Sequence, residues 1–190
     1  ASFAVAHGLC DAVALGRESV ADPEFPNKVK EEREDEISPC VSCMQRCQDP
    51  GQSISCMFNP MTAGDQGWNL SPSAEPVNVV VAGGGPAGLM AAWMIAKKGH
   101  HVTLLEEGAV PGGQLRLAAV PPYKQDFTRV IQYYITMCKK YGVNLRFGVK
   151  ADGAVIRDMN PDAVVIATGS RPIVPDIPGL DTVRTVSAHD

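Results

Sequence analysis

The sequence predicts an α/β fold built on a parallel sheet, and its second half carries the observations behind this prediction. From residue 77 onward, short apolar runs alternate with longer segments of helical periodicity. VNVVVAG is an apolar run of the kind expected for a strand covered on both faces. A glycine-rich turn follows it directly and leads into a helical pattern. Strands that alternate with helices in this way favour parallel pairing.

The elements of this half follow one another in a regular order. PAGLMAAWMIAKKG is predicted to be a helix that ends at Gly99, with Lys97 and Lys98 in its last turn. HVTLLEE is predicted to be a second strand, and DFTRVIQYYITMCKKYG has apolar residues at helical spacing. VNLRFGV and DAVVIATG are further strands, which completes the alternation.

The first half differs in composition and divides into shorter pieces. In residues 1–36, DAVALG is predicted to be a buried strand, and ADPEFPNKVKEEREDE a turn followed by a solvated helix face. Residues 37–61 form a cysteine-rich loop, and residues 62–76, rich in Gly, Ser, Pro and Asn, are predicted to be a linker. The α/β domain then occupies residues 77–190.

Composition and charge exclude several kinds of partner. The 190 residues include 17 basic and 21 acidic side chains without a basic stripe, so we expect no nucleic-acid partner. No apolar stretch is long enough to span a bilayer, so we expect no membrane partner. The first residues, ASFAVAHGLCDAVALG, lack the charged region of a signal peptide, so we predict a cytoplasmic protein that acts on a small molecule. The oligomeric state stays open.

The segment VVVAGGGPAGL carries glycines with the spacing G-x-G-x-x-G. The spacing alone is a weak signal, but here a strand precedes it, a helix follows, and Glu106 ends the next strand 18 residues after Gly88. Gly83 permits the tight turn, Gly85 lets the backbone approach a pyrophosphate, and Gly88 lets helix and strand pack closely. We expect Glu106 to accept hydrogen bonds from ribose hydroxyls. A glycine turn without a ligand is the alternative.

Two later segments bear on which dinucleotide binds. PGGQL, at 111–115, follows the second strand, and VVIATGSRP, at 164–172, ends a later one. Their small residues suit backbone that passes against a flat, bulky cofactor, although PGGQL alone also suits a surface turn. Together with the glycine turn and Glu106, these segments resemble the FAD-binding domain of thioredoxin-reductase-like flavoproteins. By that resemblance the following residues lie at FAD: Gly83, Gly85, Pro86, Ala87, Gly88, Glu106, Gly112, Gly113, Gln114, Ala151, Ala167, Thr168 and Gly169.

The loop CVSCMQRCQDPGQSISC holds four of the six cysteines of the chain. Their spacing is C-x2-C-x3-C-x8-C, formed by Cys40, Cys43, Cys47 and Cys56. Without a secretory signal, clustered cysteines favour a metal over disulfides. Zinc sites more often show two well-separated pairs, whereas this spacing fits a [4Fe–4S] cluster better. Zinc, disulfides and unbound thiols stay open as alternatives, and Cys10 and Cys138 are predicted to be buried small hydrophobes.

These parts, in this order, resemble the iron–sulfur flavoproteins of the old-yellow-enzyme class, which include 2,4-dienoyl-CoA reductase, 2-enoate reductase and trimethylamine dehydrogenase. GLCDAVALGRESVADPEFPNKV is similar to the end of their FMN-binding (β/α)8 barrel, ISPCVSCMQRC to their [4Fe–4S] loop, and VVVAGGGPAGLMAAW to the first part of their Rossmann-like FAD-binding domain. The resemblance implies that Gly16 and Arg17 bind the FMN phosphate. It also implies an internal part of a longer enzyme, with the catalytic residues elsewhere.

The resemblance further implies an oxidoreductase that uses NAD(P)H to reduce activated C=C bonds of the enoate or dienoyl-CoA type. Electrons would pass from NAD(P)H to FAD, then to the [4Fe–4S] cluster, to FMN and to the substrate. An amine dehydrogenase of the same architecture is one alternative, and an isolated, non-catalytic cofactor-binding fragment is another. The residues identify neither the substrate nor the choice between NADH and NADPH.

Overall fold

The described part of the chain folds around a four-stranded parallel sheet. The structure is a computed structural model that describes residues 2–48, 54–62, 68–187 and 189. The strands lie in the order β3-β2-β1-β4. Their bounds are β1 (Asn78–Ala82), β2 (His101–Glu106), β3 (Asn144–Phe147) and β4 (Ala163–Ile166). The prediction of a parallel α/β sheet is confirmed, and each strand lies within its predicted segment.

Helices connect these strands and also make up much of the first 36 residues. In the described residues they are α1 (Ser2–Ala6), α2 (Gly16–Ala21), α3 (Phe25–Lys30), α4 (Pro86–Lys97), α5 (Leu115–Ala118), α6 (Phe127–Lys140) and α7 (Gly153–Asp158), with 3-10 turns at Glu34–Glu36 and Leu180–Thr182. The predicted helices α4 and α6 are confirmed. Past the end of α4, Gly99 takes a φ of +91°, a conformation that favours glycine after a helix. None of these helices is long and apolar enough to span a bilayer.

The hydrophobic core lies between the sheet and helices α4 and α6. Every residue of β1 after Asn78 is buried, as predicted for a strand covered on both faces. Leu89 on α4 and Leu104 on β2 are fully buried, and Trp93 and Tyr134 pack in the same cluster. β4, at the edge of the sheet, is mostly exposed.

Two predictions for residues 1–36 are wrong. DAVALG is not a strand, because residues 11–15 have irregular, mostly exposed backbone and α2 begins at Gly16. An apolar run forms a buried strand only where other strands pair with it. In the described residues no strand of the sheet pairs with this run. The charged segment forms the short α3 and a 3-10 turn instead of one helix, and Glu32 between them has a φ of 56°.

Most charged residues of this segment are exposed, as predicted, but an ion pair joins it to the α/β domain. Glu36 Oε2 lies 2.5 Å from Lys140 Nζ on α6 and 2.8 Å from an Arg33 guanidinium nitrogen. Lys28 Nζ lies 2.6 Å from Asp22 Oδ2, and both side chains are largely buried. The prediction for Cys138 is confirmed, since it is fully buried, whereas Cys10 is only half-buried.

Candidate functional site

The carboxyl ends of the parallel strands meet at one edge of the sheet, and the predicted nucleotide-binding residues gather there. In the strand register Ala82 lies opposite Leu105 on one side and Ile166 on the other. The glycine turn after β1 therefore lies between the ends of β2 and β4. The Ala167 N–H donates a hydrogen bond to the Ala82 carbonyl at 2.8 Å. In open parallel sheets this edge is where ligands bind.

Two glycines of the turn are required by close backbone approaches. Gly83 has a φ of +110°, and a Cβ there would lie 2.3 Å from the Ala167 carbonyl oxygen. A Cβ at Gly88 would lie 1.9 Å from the Gly83 carbonyl oxygen, which agrees with the predicted packing role. Gly85 differs, because a Cβ there would meet nothing within 4 Å. The space in front of Gly85 is thus open to a ligand at the amino terminus of α4, where Pro86 and Ala87 follow.

The Glu106 carboxylate ties the glycine turn to the end of β2. Its Oε2 accepts a hydrogen bond from the Gly84 N–H at 2.7 Å, and its Oε1 accepts one from the Gly108 N–H at 2.7 Å. Each carboxylate oxygen has a second lone pair, so the group keeps acceptor capacity for a ribose hydroxyl. Glu106 is therefore fixed in place by the protein, and its contact with ribose stays a prediction.

The segment PGGQL packs directly on the glycine turn. The Gly112 N–H donates to the Gly84 carbonyl at 2.7 Å. A Cβ at Gly113 would lie 3.1 Å from the Gly85 Cα, so only a small residue fits there without displacement. Gln114 Nε2 donates to the Ser170 carbonyl at 2.8 Å, which links this segment to the residues after β4.

The other predicted FAD residues lie at the same edge. Thr168 approaches Gly83 closely, with its Cα 3.1 Å from the position of a Gly83 Cβ, and Gly169 has a φ of +75°. Ala151 is half-buried two residues after Val149, whose N–H donates to the Glu106 carbonyl at 2.9 Å. Segments far apart in sequence thus converge on one open region in front of Gly85.

A second site is formed by the cysteine loop. Cys40, Cys43, Cys47 and Cys56 line one cavity with ≈ 340 Å³ of empty space, part of it open to solvent. Each of these thiols is free, without a disulfide, and residues 49–53 of the loop lie outside the described part of the chain. No three Cys, His, Asp or Glu side chains among the described residues are gathered closely enough to hold a single metal ion. The four thiols thus share one cavity in the described part of the chain.

The surroundings of Cys56 shift the pKa of its thiol. Burial raises the pKa of the Cys56 thiol, backbone N–H groups of Phe58 and Asn59 act to lower it, and the nearby Cys43 and Cys40 raise it further. The same N–H groups are donors of the kind that stabilise a sulfur ligand of an iron–sulfur cluster. The donor set therefore fits a cluster held by four cysteines, since four cysteine sulfurs line one cavity and N–H groups donate towards one of them.

Two cationic side chains line the cysteine cavity. They are Arg17 of α2 and Arg46, whose Nε donates to Ser55 Oγ at 3.1 Å. Gly16, predicted with Arg17 to bind a phosphate, is the exposed first residue of α2. The structure thus brings Arg17 to the cysteines, while the phosphate contact stays a prediction.

Sequence reasoning missed the side chains that hold the cysteine loop. Glu18 Oε2 accepts a hydrogen bond from the Cys40 N–H at 3.1 Å, and Asp22 Oδ2 accepts one from the Ser38 N–H at 2.8 Å. Asn59 Nδ2 donates to the Ala21 carbonyl at 2.7 Å. The spacing of the two acids by four residues was the one available signal, although α2 ends at Ala21 and Asp22 follows it with extended backbone.

Comparisons with known proteins place this arrangement among flavoenzymes. Residues 77–190 match the family described as pyridine nucleotide-disulphide oxidoreductase. Over 192 residues the chain is 36% identical to a cinnamate reductase of Clostridium sporogenes, covering 100% of this chain and 29% of that protein. It is 35% identical to a solved 2-naphthoyl-CoA reductase in complex with 2-naphthoyl-CoA, with a TM-score of 0.89 over 94% of this chain and 28% of that one.

Similarity extends to enzymes that act on amines. A solved histamine dehydrogenase from Rhizobium sp. 4-9 is 29% identical, with a TM-score of 0.80 over 90% of this chain and 27% of its own. The chain therefore spans less than a third of the length of these proteins. The similarity covers both sites described above, since it includes nearly all of the chain.

Proposed function

The chain belongs to the pyridine nucleotide-disulphide oxidoreductase family, and on that basis we propose that it is the cofactor-binding part of an NAD(P)H-dependent flavin oxidoreductase. We assign to the whole enzyme the reduction of activated C=C bonds of the enoate or dienoyl-CoA type. Similarity to a cinnamate reductase and to a 2-naphthoyl-CoA reductase supports this assignment. The relatives are oxidoreductases, so the general reaction class has broader support than the substrate.

The nucleotide edge of the sheet is proposed to hold FAD. The open space in front of Gly85 receives the pyrophosphate, and the amino terminus of α4 offers backbone N–H groups to it. Glu106, fixed by the N–H groups of Gly84 and Gly108, presents its remaining lone pairs to the ribose. PGGQL and the Ala167–Gly169 turn keep backbone close to this space because their residues are small.

The cysteine cavity is proposed to hold a [4Fe–4S] cluster on Cys40, Cys43, Cys47 and Cys56, and Arg17 with Gly16 is proposed to contact the FMN phosphate. When bound, FAD would supply acceptance of a hydride from NAD(P)H, and a cluster on these cysteines would supply single-electron transfer towards FMN. The observation that carries the proposal is that four cysteines line one cavity without forming a disulfide. The sequence spacing of these cysteines supports a cluster over zinc, because zinc sites more often show two well-separated pairs.

Replacing Cys43 by Ala in the whole enzyme tests this proposal. We expect NAD(P)H to bleach FAD as in the parent, while FMN reduction and the consumption of NAD(P)H with an enoate fall to the detection limit. Stopped-flow absorbance separates the two flavins in time. Cys10→Ala is the matched control, since Cys10 is a free thiol that does not line the cavity. Reduction of FMN in C43A at the parent rate would refute the relay.

An amine dehydrogenase is the second candidate, and the similarity to histamine dehydrogenase favours it. The two candidates differ in the direction of electron flow through the cysteine site. Oxidation of NAD(P)H that depends on an enoate supports the first, and reduction of an artificial acceptor by an amine supports the second. Both assays use the same whole enzyme.

A further inference from the structure

We propose that Glu18 is a positioning residue of the cysteine site, which fixes Cys40 through its backbone N–H and lowers the reduction potential of the cluster. This inference rests on the proposed function, because it concerns the cluster assigned to the four cysteines. It assigns a role to a residue outside the cysteine motif and outside the nucleotide motif.

Helix α2 contacts the start of the cysteine loop. Glu18 Oε2 accepts the Cys40 N–H at 3.1 Å, so the carboxylate acts on the backbone of the first cysteine itself. One helical turn later, Asp22 Oδ2 accepts the Ser38 N–H at 2.8 Å. A carboxylate on α2 and a second one directly after its end therefore hold alternate residues of the segment that leads into the loop.

The same helix also holds the far end of the loop. Asn59 Nδ2 donates to the Ala21 carbonyl at 2.7 Å, and Thr62 Oγ1 donates to the Val20 carbonyl at 2.7 Å. Both ends of the loop are thus hydrogen-bonded to residues of the short helix α2 or directly after it. Glu18 therefore holds the Cys40 backbone on the same helix that bonds Asn59, three residues after Cys56.

The Glu18 carboxylate also brings a negative charge close to the cavity. Glu18 Oε1 is buried and has no hydrogen-bond partner within the described residues. Asp22 has its charge balanced by Lys28 Nζ at 2.6 Å, whereas Glu18 has no ion pair in the described part of the chain. The negative charge of Glu18 disfavours the addition of an electron to a cluster in the cavity, whereas the Arg17 and Arg46 cations that line the cavity favour it. The potential is therefore lower than it would be with a neutral residue.

The test compares Glu18→Gln with Glu24→Gln in the whole protein, purified anaerobically. Gln keeps an oxygen that can accept the Cys40 N–H but carries no charge. Glu24 is exposed and its carboxylate accepts a hydrogen bond only from Asn27 among the described residues, so E24Q removes the same charge without touching the loop. We expect E18Q to keep the iron and sulfide content of the parent and to shift the midpoint potential of the cluster to a more positive value. We expect no shift in E24Q.

Glu18→Ala and Glu18→Asp test the positioning role. E18A leaves the Cys40 N–H without an acceptor, so we expect a lower iron content and an altered EPR spectrum of the reduced cluster. E18D keeps the charge on a side chain one carbon shorter, and it carries the test if E18Q holds no cluster. A parent-like iron content and EPR spectrum in both E18A and E18D would overturn the positioning role.

The outcomes separate this inference from the proposed function. Equal potentials in E18Q and the parent, or equal shifts in E18Q and E24Q, would overturn the inference alone. A parent protein that contains no iron after anaerobic purification would overturn the cluster and the inference together.

Discussion

The Tyr134 hydroxyl donates a hydrogen bond to the Phe58 carbonyl at 2.9 Å, across 76 residues of sequence. Tyr134 lies on α6, and Phe58 follows Cys56 by two residues. The Phe58 ring also meets the edge of Phe127 on the same helix, with ring centroids 6.0 Å apart. Helix α6 therefore connects the cysteine loop directly to the nucleotide-binding domain, so the two sites of the chain share one structural support.

This bond predicts a measurable loss of stability in Tyr134→Phe. The substitution leaves the Phe58 carbonyl without its donor, and we expect the free energy of unfolding to fall by about 1 kcal/mol. Urea unfolding followed by tryptophan fluorescence measures the change. Tyr133→Phe is the matched control, because the Tyr133 ring is also buried but its hydroxyl has no hydrogen bond among the described residues. An equal loss in both variants would show that the bond to Phe58 does not stabilise the protein.

The two glycines at the start of α4 are expected to respond in opposite ways to alanine. In Gly88→Ala the new methyl group meets the Gly83 carbonyl oxygen at 1.9 Å, so we expect a loss of about 3 kcal/mol or a failure to fold. Gly85→Ala has room for its methyl group and an ordinary φ of −71°, so we expect parent-like stability. That methyl group fills the space proposed for the pyrophosphate, and FAD content after purification should fall. Full FAD content in a folded G85A protein would contradict the placement of the pyrophosphate.

Glu106→Gln tests the carboxylate that joins the glycine turn to β2. One amide oxygen can replace only one of the two acceptors that now serve Gly84 and Gly108, and the amide NH2 group faces an N–H donor. Because Glu106 is also proposed to bond the ribose, and hydrogen bonds to a charged group contribute about 1.5–3 kcal/mol, we expect FAD to bind at least about tenfold more weakly. Titration of FAD into the apoprotein by flavin fluorescence measures the affinity. The neighbouring Glu107 is exposed, and Glu107→Gln should leave FAD affinity unchanged.

The ionisation of Glu36 is expected to make part of the free energy of unfolding depend on pH. Burial opposes its ionisation, but hydrogen bonds from Lys140 and Arg33 outweigh burial, so the pKa of Glu36 lies below its ordinary value of 4.5. A carboxyl group with a lowered pKa in the folded protein stabilises it fully above 4.5, and this contribution is lost as the pH falls through the folded-state pKa. Glu36→Gln should therefore cost about 1 kcal/mol at neutral pH, because its partners are partly solvated, and less in acid.

The control for this prediction lies in the same 3-10 turn. Glu34 is exposed and has no ion pair among the described residues, so Glu34→Gln should change stability little at any pH. Denaturant unfolding at neutral and acidic pH measures both variants. A stability difference between E36Q and the parent that stays constant below 4.5 would contradict the lowered pKa of Glu36.

The second half of the chain was predictable because its signals are local. A buried strand such as β1 shows an apolar run, α6 shows apolar residues at helical spacing, and Gly83 and Gly88 mark backbone contacts that only glycine allows. The failure at DAVALG has the opposite cause. An apolar run indicates that its residues are buried, but it does not indicate which element buries them. Whether the run becomes a strand therefore depends on whether neighbouring strands pair with it.

By itself the sequence determined the order of strands and helices in the α/β domain, the glycine turn and the spacing of the four cysteines. These properties depend on residue type and on short separations along the chain. Only the tertiary structure decided that Glu18 reaches the Cys40 N–H, that Tyr134 reaches Phe58 and that Lys140 reaches Glu36. Such hydrogen bonds join residues that are far apart in sequence, and their formation depends on which donor and acceptor the folded backbone brings within 3.1 Å.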